Sequence, residues 1–205
     1  MSAPASTLWP HVSETAGRLL NAAAAAFADK GFHATTTRDI AAGAGLSPAG
    51  VYVHFSSKED VLFQLSRTGH EEALELIRHA VASSPLPHEQ LAALVSDFSA
   101  WHAQNYAIAR VVQHEFPHLS PEHRLEVLLM RKQIDAAVRG VLRAGVASGE
   151  FTVDNLGDTS LALLSIVVDV ARWYAPSVKR SPAQIGATNA ALALRLVGYR
   201  PMPAA

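Results

Sequence analysis

The sequence predicts an all-α protein. Apolar residues recur three and four apart along nearly the whole chain, and no stretch alternates with the two-residue period of a half-buried strand. The interruptions fall at Gly, Pro and Ser/Thr-x-x-Asp patterns, which punctuate helices. A length of 205 residues, 49% hydrophobic and 17% charged, suits a well-buried chain. It allows one large domain or a small module attached to a larger one.

The elements follow in order. Residues 1–8 are expected to form a disordered tail. From Val12 to Asp29, Ala16, Leu20, Ala23 and Phe27 share a helical face, the Ala22–Ala26 run favours helix, and Gly31 stops it. Thr36-Thr37-Arg38-Asp39 is a capping box with Asp in the third helical place, opening a short helix through Ile40, Ala41 and Ala42. Gly43 to Gly45 turns the chain into "GLSPAGVYVHF" (45–55), where Ser47 suits an N-cap and Pro48 a first helical position. Ser57-Lys58-Glu59-Asp60 reads as a second capping box, starting a longer helix with Val61, Leu62, Leu65 and Leu76 apolar.

Prolines in "SSPLPHEQ" (83–90) mark a loop, after which Leu91, Leu94, Val95 and Phe98 lead another helix. "HEFPHLSPEH" (114–123) breaks the pattern at Pro117 and Pro121. A helix of roughly seven turns then reaches "ASGEF" (147–151), with Gly149 as its C′ glycine. Residues 155–175 are apolar nearly all round and are expected to be one buried helix. Pro182 starts a last helix that ends near Gly198, with Ala187, Ala190, Ala191, Leu194 and Gly198 as a stripe of small residues.

Several function classes are disfavoured. Without cysteine there is no disulfide framework, thiolate metal site or cysteine nucleophile. No phosphate-binding glycine loop, nucleophile elbow or His-Glu-x-x-His helix supports an enzyme, and no cofactor is expected. His102, His114, His118 and His123 raise a metal site, but Pro117 and Pro121 interrupt the helix that would unite His114 with His118, so none is expected. The N-terminus lacks a signal-peptide layout. Leu156 to Ala171 is interrupted by Asp158 and Asp169 and falls short of the ~20 residues a membrane span needs. A cytoplasmic protein without membrane contact is expected.

Net charge is −1, and residues 1–60 balance Arg18, Lys30, Arg38 and Lys58 against Glu14, Asp29, Asp39, Glu59 and Asp60. A DNA reading must therefore rest on geometry rather than on a basic patch. Three helices with a tight turn between the second and third form a helix-turn-helix layout. At ~100° per residue, Val51 and Phe55 of the third helix face the core, while Ala49, Gly50 and Val53 face outward between Tyr52 and His54. Small residues let a backbone approach base edges, and Val53 suits a thymine methyl. The helix N-termini at Thr36 and Ser47 offer N–H groups to phosphate, although both residues also serve as caps. Arg38 either reaches DNA or pairs with a neighbouring acid.

Residues 31–62, "GFHATTTRDIAAGAGLSPAGVYVHFSSKEDVL", resemble the DNA-binding segment of the TetR family of bacterial transcriptional regulators. The glycine-aromatic start, threonine pair, Ile-Ala, Ala-Gly, Tyr-x-His-Phe and Lys-Glu elements agree in order and spacing. The resemblance implies a DNA-binding domain at 11–60 and a C-terminal helical bundle at 61–205 for ligand binding and dimerisation. It implies a homodimer on a double-stranded, inverted-repeat operator, usually a repressor. Thr36, Tyr52, His54 and Lys58 would then contact phosphate, while Thr37, Arg38, Pro48, Ala49, Gly50 and Val53 lie at or near bases.

The segment "VDVARWYAPSVKRSPAQIGATNAALALRLVGYR" (168–200) resembles a TetR subgroup linked to fatty-acid and steroid catabolism, several members of which respond to acyl-CoA thioesters. That resemblance implies a small apolar effector, plausibly an acyl-CoA, near Leu164 and Val168. Trp101, Tyr106, Phe116, Trp173 and Tyr174 are candidates to line a cavity, with plain core as the alternative. Arg110, Arg131, Lys132 and Arg172 are the cations available to CoA phosphates, although Asp169 and Arg172, three apart, also suit a local ion pair. The alternatives are a repressor that senses a drug-like lipophile and a helical adaptor that binds only protein.

Overall fold

The computed structural model describes residues 12–200, and every regular element in that span is helical. The tail expected at residues 1–8 lies outside the described residues. The order is α1 (Glu14–Ala34), α2 (Thr37–Gly43), α3 (Pro48–Tyr52), α4 (Lys58–Ala82), α5 (Pro87–Gln104), α6 (Tyr106–His114), a 3-10 turn (Phe116–His118), α7 (Pro121–Ala147), α8 (Leu156–Val168), α9 (Val170–Trp173) and α10 (Pro182–Leu196).

The local punctuation acts largely as the side chains dictate. Gly31, at φ 76°, takes a left-handed conformation that L side chains avoid, so α1 kinks there and adds a last turn rather than stopping. Gly149, at φ 79°, stands two residues beyond α7 in the C′ place. Ser181 and Gln184 close a reciprocal capping box on α10: the Gln184 N–H donates to Ser181 Oγ at 3.2 Å, and the Ser181 N–H to Gln184 Oε1 at 2.8 Å.

Two expected caps differ in detail. Ser47 occupies the N-cap of α3 but makes no side-chain cap bond, so Pro48, which has no N–H, carries the helix start. At α4 the Asp60 N–H donates to Ser57 Oγ at 3.0 Å, but the Asp60 carboxylate reaches past Ser57 to accept the Ser56 N–H at 2.8 Å.

Two expected helices are each divided. The stretch led by Leu91 breaks at Asn105 into α5 and α6, and the 155–175 stretch breaks at Asp169 into α8 and α9. The second is not buried all round either. Leu163, Val167, Val170 and Ala171 are inside, whereas Leu161 is 66% exposed and Trp173 37%. Uniform apolarity marked two faces with different fates, which periodicity cannot separate.

The chain gathers into two compact units, and the grouping is not a single cut after residue 60. The first takes in the described residues through Glu72 together with Ala107–Leu129; the second holds Ala73–Tyr106 and Met130 onward. A bundle of about 60 residues buries too little surface to stand well alone, and here the first unit adds α6 and the start of α7. The Ser120 N–H donates to Glu59 at 2.8 Å, and His123 stacks on Phe63 with ring centroids 3.7 Å apart.

In the second unit Leu91, Leu94, Val95 and Phe98 of α5 meet Val138 and Leu142 of α7, Leu163 of α8 and Ala193 of α10 in one core. Gly186 marks the closest approach of α10 to α5, because a Cβ there would lie 2.4 Å from the Ser96 carbonyl oxygen. The small-residue stripe read on α10 mixes two faces. Ala190 is buried and Leu194 half-buried, while Ala187, Ala191 and Leu192 are exposed with Thr188 and Arg195.

Candidate nucleic-acid interface

The second helix of the reading segment is set by its cap. The Asp39 N–H donates to Thr36 Oγ1 at 3.1 Å, and the Thr36 N–H donates to Asp39 Oδ2 at 2.8 Å. The Thr36 hydroxyl also donates to Asp39 Oδ2 at 2.7 Å, and Lys30 lies 3.1 Å from Asp39 Oδ1. The side-chain and backbone bonds from Thr36, then the one from Lys30, hold the Asp39 carboxyl at a pKa of about 2, below its usual 3.8. Thr36 therefore acts first as a cap.

Helix α3 presents the two faces its spacing predicts. Val51 is fully buried and Phe55 nearly so, whereas Val53 is 78% exposed and Tyr52 57%. Ala49, Pro48, Ser47 and His54 are exposed and Gly50 is half-buried. The α-helix itself ends at Tyr52, so Val53 and His54 are carried on the turn that follows. Arg38 is exposed and, among the described residues, forms no ion pair, so the neighbouring-acid alternative is not realised. Thr37 Oγ1 and Tyr52 OH lie 3.3 Å apart, a bond that braces α3 against the start of α2.

Lys58 is placed differently from the other expected contacts. Its Nζ donates to the carbonyls of Phe32 at 2.7 Å, Thr35 at 2.8 Å and His33 at 3.4 Å, and sits 4.4 Å from the centroid of the Phe32 ring. An ammonium has three N–H donors, and three backbone acceptors surround this one. The turn between α2 and α3 is held from α1, where the Arg18 guanidinium donates to the Ala44 carbonyl.

The residues expected at an effector fall in both units. Arg110 and Phe116, half-buried, belong to the first, and the remainder to the second. There, Trp101 and Leu164 pack against the core, Val168 is half-buried at the end of α8, and Tyr106 meets Tyr174 at 5.7 Å between ring centroids. Arg180 lies over the exposed Trp173 ring at 5.9 Å. Burial of Arg131 lowers its guanidinium pKa, which marks a partly desolvated cation.

Arg172 forms the local pair its spacing allows, donating to both Asp169 oxygens at 2.5 and 2.9 Å. That bond holds the Asp169 carboxyl below its usual range. A separate groove of about 500 Å³ between the ends of α7 and α10 is lined by Glu150, Thr152, Arg195, Leu196 and Arg200, with Gly149 and Gly198. It contains none of the expected effector residues.

Comparison with known proteins decides the family. Residues 84–197 match the tetracyclin repressor-like C-terminal domain, and residues 19–65 match the bacterial regulatory proteins of the tetR family. The chain belongs to the TetR family. It is similar to the HTH-type transcriptional repressor KstR2 of Rhodococcus jostii (strain RHA1), 34% identical over 176 residues that cover 82% of this chain and 86% of that one. A solved bacterial regulatory protein in the tetR family from Rhodococcus RHA1 shares 36% identity at a TM-score of 0.86, covering 93% of this chain and 100% of the other. AibR, solved in complex with isovaleryl coenzyme A and operator DNA, shares the fold at a TM-score of 0.78 and 21% identity, covering 87% and 97% of the two chains. This TetR chain is a transcriptional regulator and not an enzyme. Among its described residues no helix is long and apolar enough to cross a membrane.

Sequence reasoning missed Arg18, which holds the turn between α2 and α3, and Glu59 and Phe63, which tie the start of α4 to Ser120 and His123. Arg18 lies 26 residues from its partner Ala44, and Glu59 lies 64 from His123. Local pattern carries no signal for pairings at such separations.

Proposed function

We propose that this TetR regulator is a repressor that reads an inverted-repeat operator as a homodimer through α2, α3 and the turn after α3. The observation that carries the reading is the outer surface of that segment. Val53, Ala49 and Pro48 stand out as small apolar residues, flanked by Tyr52, His54 and the unpaired Arg38, while Val51 and Phe55 anchor the helix from behind. Apolar side chains meet thymine methyls, an arginine reads guanine edges, and the tyrosine hydroxyl suits a phosphate. Thr37, Ser47 and Gly50 complete the contact set, and Thr36 supports it as the cap of α2.

Titration of labelled duplexes from upstream of the gene tests the assignment. Tyr52→Ala is expected to weaken binding to operator and to unrelated duplex in the same proportion, because a phosphate contact carries no base information. Val53→Ala is expected to relax preference at one position of each half-site. A Tyr52 variant that changes sequence preference and keeps its affinity would reverse the two roles.

Dimerisation through α8 and α10 accounts for the exposed apolar residues left on those helices. Leu161, Leu192 and Leu196 are each more than two-fifths exposed, beside the small Ala187 and Ala191. For the effector, the second unit supports an acyl thioester. Leu164, Val168 and Trp101 supply apolar lining, and Arg131 supplies a half-buried cation suited to an anionic group. Arg172 joins it only by giving up its pair with Asp169.

Affinity is expected to rise about fourfold per added methylene, from ~0.8 kcal/mol each, until the cavity is full. Calorimetry with free CoA, a free fatty acid and the thioester separates the sources. Equal affinity of acid and thioester, with equal release of DNA, would leave a lipophile sensor instead.

A further inference from the structure

We propose that Lys58 is a positioning residue that clasps the DNA-reading segment shut, and that it makes no phosphate contact. The proposal rests on the reading of α2 and α3 as the DNA-binding elements. Lys58 is the first residue of α4, and its ammonium reaches back to the carbonyls of Phe32, His33 and Thr35. Phe32 and His33 belong to the last turn of α1, whose carbonyls have no partner within the helix, and a cation suits that negative end. Thr35 is fully buried and directly precedes the cap of α2. One side chain therefore joins the residue before α2 to the residue that opens α4, closing the chain between them, which holds both reading helices, on itself. The Phe32 ring, 4.4 Å from the ammonium, covers one flank. A phosphate would have to replace these acceptors and leave the carbonyls unpaired.

The two roles differ in salt dependence. Removing a lysine that touches phosphate lowers the slope of log K against log salt by about 1, and it weakens operator and non-operator DNA alike. Removing a clasp lets the reading helices drift, which reduces operator affinity more than non-operator affinity and leaves the slope unchanged.

The experiment compares wild type with Lys58→Met in both respects and measures amide hydrogen exchange of the DNA-free protein. The expected result is at least a tenfold loss of operator affinity with an unchanged slope. Exchange across 37–55 should be at least tenfold faster, with α5 unaffected. A slope reduced by about 1, or unchanged exchange in 37–55, overturns the proposal. If Lys58→Met does not fold, Lys58→Gln, which keeps two amide N–H donors, is measured by the same readouts. Should wild type bind no duplex, the DNA-binding reading fails by itself, and the exchange measurement still decides the clasp.

Discussion

Asp39 joins three donors at one carboxylate, and its titration reports whether α2 is properly started. Its pKa in the folded chain is about 2, below the ordinary 3.8, because Thr36 and then Lys30 stabilise the ionised form. The sign follows from that depression. The cap's contribution is fully present above the ordinary carboxylate value and is lost as pH falls through about 2. An NMR titration of the Asp39 carboxyl should find its midpoint near 2, and Thr36→Val, which removes the side-chain bonds, should move it up toward 3.8. A wild-type midpoint already at 3.8 would mean that the capping box is not formed in solution.

At the scale of elements, legibility in the sequence divides by distance along the chain. The Thr36–Asp39 cap and the two faces of α3 follow from residues within one or two helical turns of each other, whereas Gly31, expected to stop α1, only kinks it. The breaks at Asn105 and Asp169 left no such trace, because Asn and Asp are tolerated inside helices and neither is a strong breaker. Lys58 shows the limit at the site itself, since the carbonyls it meets lie 23 to 26 residues earlier and leave no local pattern.

Helix α10 likewise needed the structure, since only the approach to α5 shows why Gly186 is small. Gly186→Ala is expected to cost about 1–3 kcal/mol through overpacking, as the added methyl must displace the Ser96 backbone. Thermal melting of that variant beside Ala187→Gly, on the exposed face, checks it. Equal melting temperatures for wild type and Gly186→Ala would show that α5 and α10 do not cross so closely.

For the whole molecule, the exposed residues of α8 and α10 set a test of assembly. Ala191 is exposed on α10, so Ala191→Arg should leave the monomer fold intact while forcing an unpaired charge into a contact between copies. Sedimentation should then find monomers with weak operator affinity; an intact dimer would place the contact on another surface.

The chain crosses between its two compact units after Glu72, after Tyr106 and after Leu129, and this bears on the order of synthesis. Every residue proposed to touch DNA has been made by the time the ribosome reaches Lys58, but Ser120 and His123, which hold Glu59 and Phe63, come much later. At ~5–20 residues per second, the wait from the end of α3 to Leu129 is on the order of 4–15 s. During that interval a nascent chain carries the contact residues without their scaffold. A chain truncated in α4 or α5 is thus expected to bind DNA poorly, and translation itself delays the first moment at which a new copy of the regulator can act.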